Sequence, residues 1–221
     1  MSLKDLSSYT IYSRYAHYIP ELKRRETWDE IVERVFGMHE RKYAQQLADN
    51  EEFKKEFLFA KDMVRKKKVL GSQRALQFGG KWIEKENLKI FNCSFTHIDR
   101  VNAFSEIFYA LLCGVGIGYS VQFHHIKNLP SVAIPTKGEK IYVLDDSIEG
   151  WSDALAVLLS SYFIANQKFP EYFGYNVKFD FSKIRPEGAL IAGQFLAPGP
   201  NGLKAGLERV RALLGRVASK T

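Results

Sequence analysis

The sequence predicts a mixed α/β protein in which a helical N-terminal region, residues 1–80, precedes a region of alternating strands and helices, residues 81–221. Apolar residues recur at helical spacing in the first region. The sequence pattern changes at Gly79-Gly80, after which short strand-like segments alternate with apolar helices. Alternation of this kind builds a sheet whose strands are joined by helical crossovers.

The composition is that of a globular protein, with 46% hydrophobic and 14% aromatic residues among 221. No apolar run is long enough to span a bilayer, and the polar N-terminal stretch lacks the apolar core of a signal peptide, so we expect a cytoplasmic protein without a membrane partner. Two cysteines are too few for a disulfide framework or a zinc site. The five histidines show no metal-type spacing, and the adjacent His124 and His125 are expected on opposite faces of a strand, so no metal site is predicted. The net charge of +7 favours anionic partners such as nucleotides, nucleic acid or an acidic protein.

In the helical region, the first twenty residues are expected to form an extended arm that ends at Pro20. Thr27 and Glu30 have the spacing of a capping box at the start of a helix. A second helix is predicted over residues 50–70. Its basic residues 65–68 are read either as a solvated helix end or as a phosphate contact, and the solvated end is favoured.

The second region contains four predicted strands, too few for a closed barrel. An open sheet leaves an unpaired edge, which suggests that a partner segment covers it. The predicted helix over residues 150–164 is apolar nearly all round and should be buried or at an interface. The predicted strands are 88–96, 119–123, 141–144 and 176–181, and the helices are 101–113, 150–164 and 203–217.

Two segments carry candidate chemistry near the start of this region. Cys93 lies in an apolar strand as either a small buried residue or a reactive thiol. The glycine-rich run that contains Gly116 is either a tight connection or a place where the backbone approaches a ligand closely. It follows a helix and enters a strand, the reverse of the dinucleotide-binding fingerprint.

Two further segments follow later in the chain. Asp146 or Ser147 is a good N-cap for the apolar helix, and acidic side chains there could also accept hydrogen bonds from a ribose or a base. Lys183 and Arg185 begin a long Gly/Pro-containing loop. The guanidinium of Arg185 suits bidentate recognition of phosphate.

In this order the four segments resemble the catalytic (large) subunit of ribonucleotide reductase. The patterns Asp-Ser-x-Glu-Gly-Trp and Arg-Pro-x-Gly resemble the adenosylcobalamin-dependent, class II type. The segments are Asn92-Cys93-Ser94-Phe95, Gly116-Ile117-Gly118, Asp146-Ser147-Ile148-Glu149-Gly150-Trp151, and Ile184-Arg185-Pro186-Glu187-Gly188 with Ala197-Pro198-Gly199-Pro200. The resemblance covers nearly the whole chain. It implies the first half of a ten-stranded α/β barrel after the helical region, and reduction of ribonucleoside di- or triphosphates to deoxyribonucleotides by thiyl-radical chemistry.

The resemblance also assigns residue roles. Cys93 is the first member of the cysteine pair that reduces the substrate, and the substrate-binding residues are Asn92, Ser94 and Gly116. The residues that contact a nucleotide effector, a dNTP or ATP, are Asp99, Asp146, Ser147, Lys183 and Arg185. Capping of the next helix explains Asp99 equally well. The loop from Arg185 to Pro200 departs from the family pattern, because Gly193-Gln194-Phe195-Leu196 replaces its usual double glycine.

The thiyl-radical cysteine, the second reducing cysteine and the catalytic Glu and Asn of the family have no match here. We therefore expect a fragment, a split-gene product or an intein-interrupted half that is inactive alone. It would need a complementary C-terminal segment or subunit, which binds most of the adenosylcobalamin, together with a ribonucleotide substrate and a thioredoxin-like reductant. A homodimer through the 146–164 helix would account for its apolar surface. Two other hypotheses remain open: a non-catalytic nucleotide-binding regulatory or assembly module, and a basic nucleic-acid-binding protein.

Overall fold

The computed structural model describes residues 2–191 and 195–220. The chain folds as two compact units, one that ends at Asn92 and one that begins at Cys93. The first unit is helical, with one short antiparallel strand pair, β1 with β2. Its elements are α1 (Leu3–Arg14), β1 (Tyr18–Ile19), β2 (Arg24–Arg25), α2 (Trp28–Lys42), α3 (Ala44–Asp49), α4 (Glu51–Arg65), α5 (Gln73–Phe78) and α6 (Lys81–Lys85), with 3-10 turns at Pro20–Leu22 and Asn87–Ile90.

The first residues form helix α1, so the prediction of an extended arm is wrong. Ser2 caps this helix, because its Oγ accepts a hydrogen bond from the Asp5 amide while the Asp5 carboxylate accepts one from the Ser2 amide. No residue of α1 is buried. The helix therefore has no buried apolar face for a periodicity argument to detect, and capping at its start is its main local signal.

The predicted capping box of α2 is confirmed. The Glu30 amide donates to Thr27 Oγ1 at 3.3 Å, and the Thr27 amide donates to Glu30 Oε2 at 2.7 Å. Helix α4 starts after Asn50, whose side chain caps it. It ends at Arg65, earlier than the predicted 50–70 span, because Lys67 takes a left-handed conformation with φ of 55° that a helix cannot continue.

A buried ion pair ties the first unit together. Arg34 Nε donates to Glu26 Oε1 at 2.7 Å, and both side chains are largely buried. The two terminal nitrogens of the guanidinium also donate to the carbonyls of Tyr15, Leu76 and Gly79. One side chain of α2 therefore holds the chain that follows α1 and the end of α5.

The two compact units divide after Asn92, whereas the change in sequence pattern at Gly79-Gly80 predicts a boundary after residue 80. Helices α5 and α6 pack against each other and against the 3-10 turn Asn87–Ile90. These short elements therefore extend the helical unit past the glycine pair.

The second unit contains two parallel strand pairs, each joined by a helical crossover, as the alternation of elements predicted. Strand β3 pairs with β4 around α7, and β5 pairs with β6 around α9. A short antiparallel pair, β7 with β8, follows. The elements are β3 (Cys93–His97), α7 (Asn102–Leu112), β4 (Gly116–Ser120), α8 (Phe123–Ile126), β5 (Lys137–Val143), α9 (Ile148–Tyr162), β6 (Tyr175–Asp180), β7 (Leu190–Ile191), β8 (Phe195–Leu196) and α10 (Asn201–Ala218), with a 3-10 turn at Pro170–Tyr172.

Three of the predicted strands start several residues from their positions in the structure. The 141–144 prediction starts too late, because β5 begins at Lys137. The 88–96 prediction starts too early, because Asn87–Ile90 is a 3-10 turn and β3 begins at Cys93. The 119–123 prediction starts too late, because β4 begins at Gly116. Glycine has no side chain to pack on a sheet and is depleted in strands. A prediction from strand propensity therefore begins this strand at its first bulky residue.

Helix α9 is buried inside its own unit. It packs against α7, α10 and β6, and ten of its residues are buried. Its core neighbours include Leu144, Ile184 and Leu207. Packing within one chain thus accounts for the all-round apolar surface, and a homodimer through residues 146–164 stays a prediction. Among the described residues, none of the helices is long and apolar enough to cross a membrane.

Candidate functional site

The predicted substrate-binding residues come together at the start of β3 and β4. Cys93 is the first residue of β3, and its Cα partner in the parallel ladder is Gly116, the first residue of β4. Asn92 and Ser94 flank the cysteine. All four residues are exposed. The reading of Cys93 as a small buried residue is therefore wrong, and its thiol is open to a ligand.

One face of this strand pair carries side chains on β3 and glycines on β4. Cys93, Phe95 and His97 alternate along β3 and so share a face. Gly116 and Gly118 lie opposite the first two and carry no side chains. A Cβ added to Gly118 would lie 3.2 Å from Phe95 Cδ2, so the phenyl ring lies close to this glycine. The backbone of β4 can be approached closely beside the Cys93 thiol.

The other cysteine is not part of this face. Cys113, at the end of α7, is only 2% exposed. The two thiols therefore differ sharply in access to solvent. Across residues 2–191 and 195–220, no group of three or more His, Cys, Asp or Glu side chains could hold a metal ion.

A histidine cluster at the end of β3 was not predicted. The ring centroids of His97 and His125 are 4.2 Å apart, and those of His125 and His124 are 3.9 Å apart. Partial desolvation, followed by the charges of His124 and His97, lowers the pKa of His125, while Asp99 acts in the opposite direction. The two adjacent histidines lie on the short helix α8, so the expectation that they point to opposite faces of a strand is wrong.

Asp99 does not cap the next helix, contrary to the alternative reading. Val101 is the N-cap residue of α7, and no side-chain hydrogen bond caps that helix. The Asp99 carboxylate instead accepts a hydrogen bond from Arg100 Nη1 at 2.8 Å.

The other four predicted effector residues gather at the C-terminal ends of β5 and β6. Ser147 is the N-cap of α9, and its Oγ accepts from the Gly150 amide at 2.9 Å. Asp146 Oδ2 accepts from Arg185 Nε at 2.5 Å. Lys183 Nζ donates to Asp145 Oδ1 at 3.0 Å. Sequence reasoning selected both cations and Asp146, but not Asp145, which pairs with Lys183.

The backbone on both sides of this group is fixed. On the acidic side, the Ser147 amide donates to the Asp145 carbonyl, and a Cβ on Gly150 would lie 2.3 Å from that same oxygen. On the basic side, Ile184 stands between the two cations, is buried in the core, and donates its amide to the Phe181 carbonyl. The four charged side chains therefore extend from anchored positions.

The loop that follows requires glycine at its end. Gly199 has a φ of 65°, and a Cβ there would lie 2.9 Å from the Glu187 amide nitrogen. Strands β7 and β8 lie between these two residues. Gly193 and Gln194, part of the departure from the family pattern, lie outside the described residues.

The basic cluster at the end of α4 is largely neutralised within the first unit. Arg65 pairs with Asp29 and Glu33, and Lys66 pairs with Asp62. The Lys67 ammonium lies 5.3 Å from the centroid of the Trp28 ring. These contacts favour the solvated helix end over a phosphate contact.

Comparison with known proteins gives one informative likeness. No protein-family model and no curated protein sequence matches this chain. Among solved structures, the crystal structure of a B12-dependent (class II) ribonucleotide reductase matches with a TM-score of 0.82 and 25% sequence identity. The match covers 96% of this chain and 37% of that protein, so the chain spans a little over a third of its length. Over nearly its whole length, the chain is therefore similar in structure to part of a class II ribonucleotide reductase.

Proposed function

We propose that the chain is the N-terminal part of a ribonucleotide reductase catalytic subunit and that Cys93 takes part in reducing ribonucleoside di- or triphosphates. The observation that carries the proposal is the exposed Cys93 thiol opposite Gly116. This thiol belongs to a chain whose backbone resembles part of a class II reductase with a TM-score of 0.82.

In the proposed reaction, a thiyl radical on a complementary segment abstracts the 3′-hydrogen of the ribose. Cys93 and a second thiol from that segment then supply two electrons and two protons. The 2′-hydroxyl leaves as water, the two sulfurs form a disulfide, and the abstracted hydrogen returns to C3′, which regenerates the thiyl radical. A thioredoxin-like protein then reduces the disulfide. A disulfide requires Cα atoms within about 7 Å, so the second thiol must approach the open face of β3. Gly116, which lies opposite Cys93 and carries no side chain, would leave room there for the ribose.

The two parallel strand pairs correspond, in this proposal, to part of the first half of a ten-stranded barrel. Within the described residues each sheet contains only two strands, so each strand has one edge without a strand partner. The complementary C-terminal segment or subunit would cover these edges. It would also provide the wall that faces Cys93.

The second group of residues is proposed as the effector site. Lys183 and Arg185 would contact the phosphates of a dNTP or ATP, since a guanidinium binds phosphate in a bidentate manner. Asp146 and Ser147 would contact the ribose. An effector contact of Asp99, which pairs with Arg100, stays a separate prediction.

Adenosylcobalamin would supply the initiating radical, if this chain belongs to the class II type. The described residues do not enclose a site for it beside the reducing thiol, since Cys93, Phe95 and His97 are all exposed on an open face. We therefore assign none of this chain's residues to the cobalamin. In this proposal, it binds mainly to the complementary segment.

The proposal is tested by co-expressing the chain with a complementary segment that carries the remaining cysteines. Ribonucleotide reduction should appear only when both parts are present. Cys93→Ser should abolish multiple turnover and leave nucleotide binding unchanged, whereas Cys113→Ser should retain turnover. Multiple turnover by the Cys93→Ser protein would end the redox assignment. Nucleotide binding without turnover in the wild-type pair would favour a regulatory module instead.

A further inference from the structure

We propose that the anion site at the ends of β5 and β6 is held shut by two internal ion pairs that a polyphosphate must displace. The pairs are Lys183–Asp145 and Arg185–Asp146, and together they form what we name the ion-pair lock. The inference rests on the proposed function, because it adds regulation to the effector site described there.

The lock follows from the parallel pairing of two strands. Val143 at the end of β5 is the Cα partner of Asp180 at the end of β6, so the segments after both strands leave the sheet at the same edge. The segment after β5 brings two carboxylates, and the segment after β6 brings two cations. The two positive charges that could attract phosphate are thus balanced by two negative charges before any ligand arrives.

Opening the lock requires only side-chain rotation. The turn that carries the aspartates is held by the close approach at Gly150, and the segment that carries the cations is held by buried Ile184. A ligand that binds Lys183 and Arg185 therefore exchanges with the carboxylates without moving either backbone.

The two pairs differ in how readily they exchange. Lys183 and Asp145 have side chains that are 59% and 72% exposed, so their attraction is strongly screened by water. Arg185 and Asp146 are 38% and 26% exposed and share a charge-assisted hydrogen bond that water screens less, so this pair is the main barrier. Triphosphate suits the exchange, because its oxygens match the guanidinium fork and its charge exceeds that of one carboxylate.

The test measures the affinity of the full 221-residue chain for inorganic tripolyphosphate by isothermal titration calorimetry. Removing the competing carboxylate with Asp146→Asn should tighten binding by up to about fivefold, the upper end for one surface ion pair. Asp145→Asn should tighten it by less. Arg185→Gln should weaken it. The control is Glu149→Gln, which removes the same charge from the first turn of α9. Within the described part of the chain, Lys183 and Arg185 pair with Asp145 and Asp146 and not with Glu149.

Each result decides the matter. Tightening by Asp146→Asn well beyond that of Glu149→Gln supports the lock. Equal effects of the two variants, or weaker binding by Asp146→Asn, would overturn it and make Asp146 a residue that positions Arg185. Unchanged affinity in Arg185→Gln, or no tripolyphosphate binding by any of these proteins, also overturns it. The Cys93 assignment is unaffected by these outcomes, because it is tested by turnover.

Discussion

Cys93 and Gly116 are Cα partners in the parallel pairing of β3 and β4, although the whole of α7 separates them in the sequence. The pairing places an exposed thiol beside a residue without a side chain. Gly118, two residues further along β4, also lacks a side chain and lies against the Phe95 ring. A ligand can therefore reach both the sulfur and the neighbouring backbone from one side.

The two cysteines should react at very different rates with a thiol reagent. Cys93 is exposed and Cys113 is buried, so the native chain should show one fast thiol, with the second reacting only on unfolding. Stopped-flow measurements with a disulfide reagent would separate the two phases. Cys93→Ser should remove the fast phase and Cys113→Ser the slow one, and two fast thiols in the native chain would contradict the structure.

Alanine at position 150 should destabilise the second unit. Its Cβ would lie 2.3 Å from the Asp145 carbonyl oxygen, so the backbone that carries the lock must move. We expect Gly150→Ala to lower the free energy of unfolding by about 2 kcal/mol or more. Urea denaturation would measure the change.

The matched control is Gly206→Ala on the exposed face of α10, where nothing lies within 4 Å of the added Cβ. This change should stabilise the chain by roughly 0.5–1 kcal/mol, because alanine is the better helix former. Equal effects of the two alanine substitutions would show that the turn at Asp145 is not tightly packed.

Local sequence patterns predicted the elements that bury a regular apolar face. The capping box at Thr27 and the parallel crossovers around α7 and α9 follow from spacing alone. Helix α1 was missed because none of its residues is buried. The early start of β4 was missed because Gly116 has no strand propensity of its own.

The site was predicted only in part, because its pairings are long-range. Cys93, Gly116, Lys183 and Arg185 were selected by motif, and the register of the parallel strands brings them to their partners. Asp145 was not selected. With 32 basic and 25 acidic residues in the chain, no local pattern indicates which carboxylate pairs with Lys183.

Removing one partner of the buried ion pair should strongly destabilise the first unit. Arg34→Met leaves the Glu26 carboxylate buried without its cation and also removes donors from the three carbonyls that Arg34 binds. We expect a loss of about 3 kcal/mol or more in the free energy of unfolding. Lys54→Met, which breaks the exposed pair with Glu51, should cost less than about 1 kcal/mol. Similar losses in the two variants would argue against the burial of Arg34.

The histidine cluster should make the second unit sensitive to mild acid. The native state disfavours the charged form of His125, so its pKa lies below the ordinary value of about 6.5. The unfolded chain then binds more protons as the pH falls below that value. The stability that neutral His125 contributes is therefore present above about pH 6.5 and is lost as the pH falls towards the lowered pKa.

NMR titration of the His125 ring would measure this effect. His97→Gln should raise the pKa of His125 towards its ordinary value, because it removes a neighbouring positive charge. Phe95→Leu is the control, since it removes only a neutral ring that contacts His97. A pKa of His125 that stays the same in His97→Gln would show that the two rings do not interact.

The two-stranded sheets bear on how the chain behaves at high protein concentration. Within the described residues, β3 to β6 each pair on one side only, so unpaired amide and carbonyl groups remain along their other edges. Such edges serve as templates for pairing between molecules. Arg211 donates to the Val177 carbonyl at 2.8 Å and so covers part of β6. The unpaired strand edges would favour self-association. The mean molar mass that light scattering gives for the isolated chain should therefore rise with protein concentration.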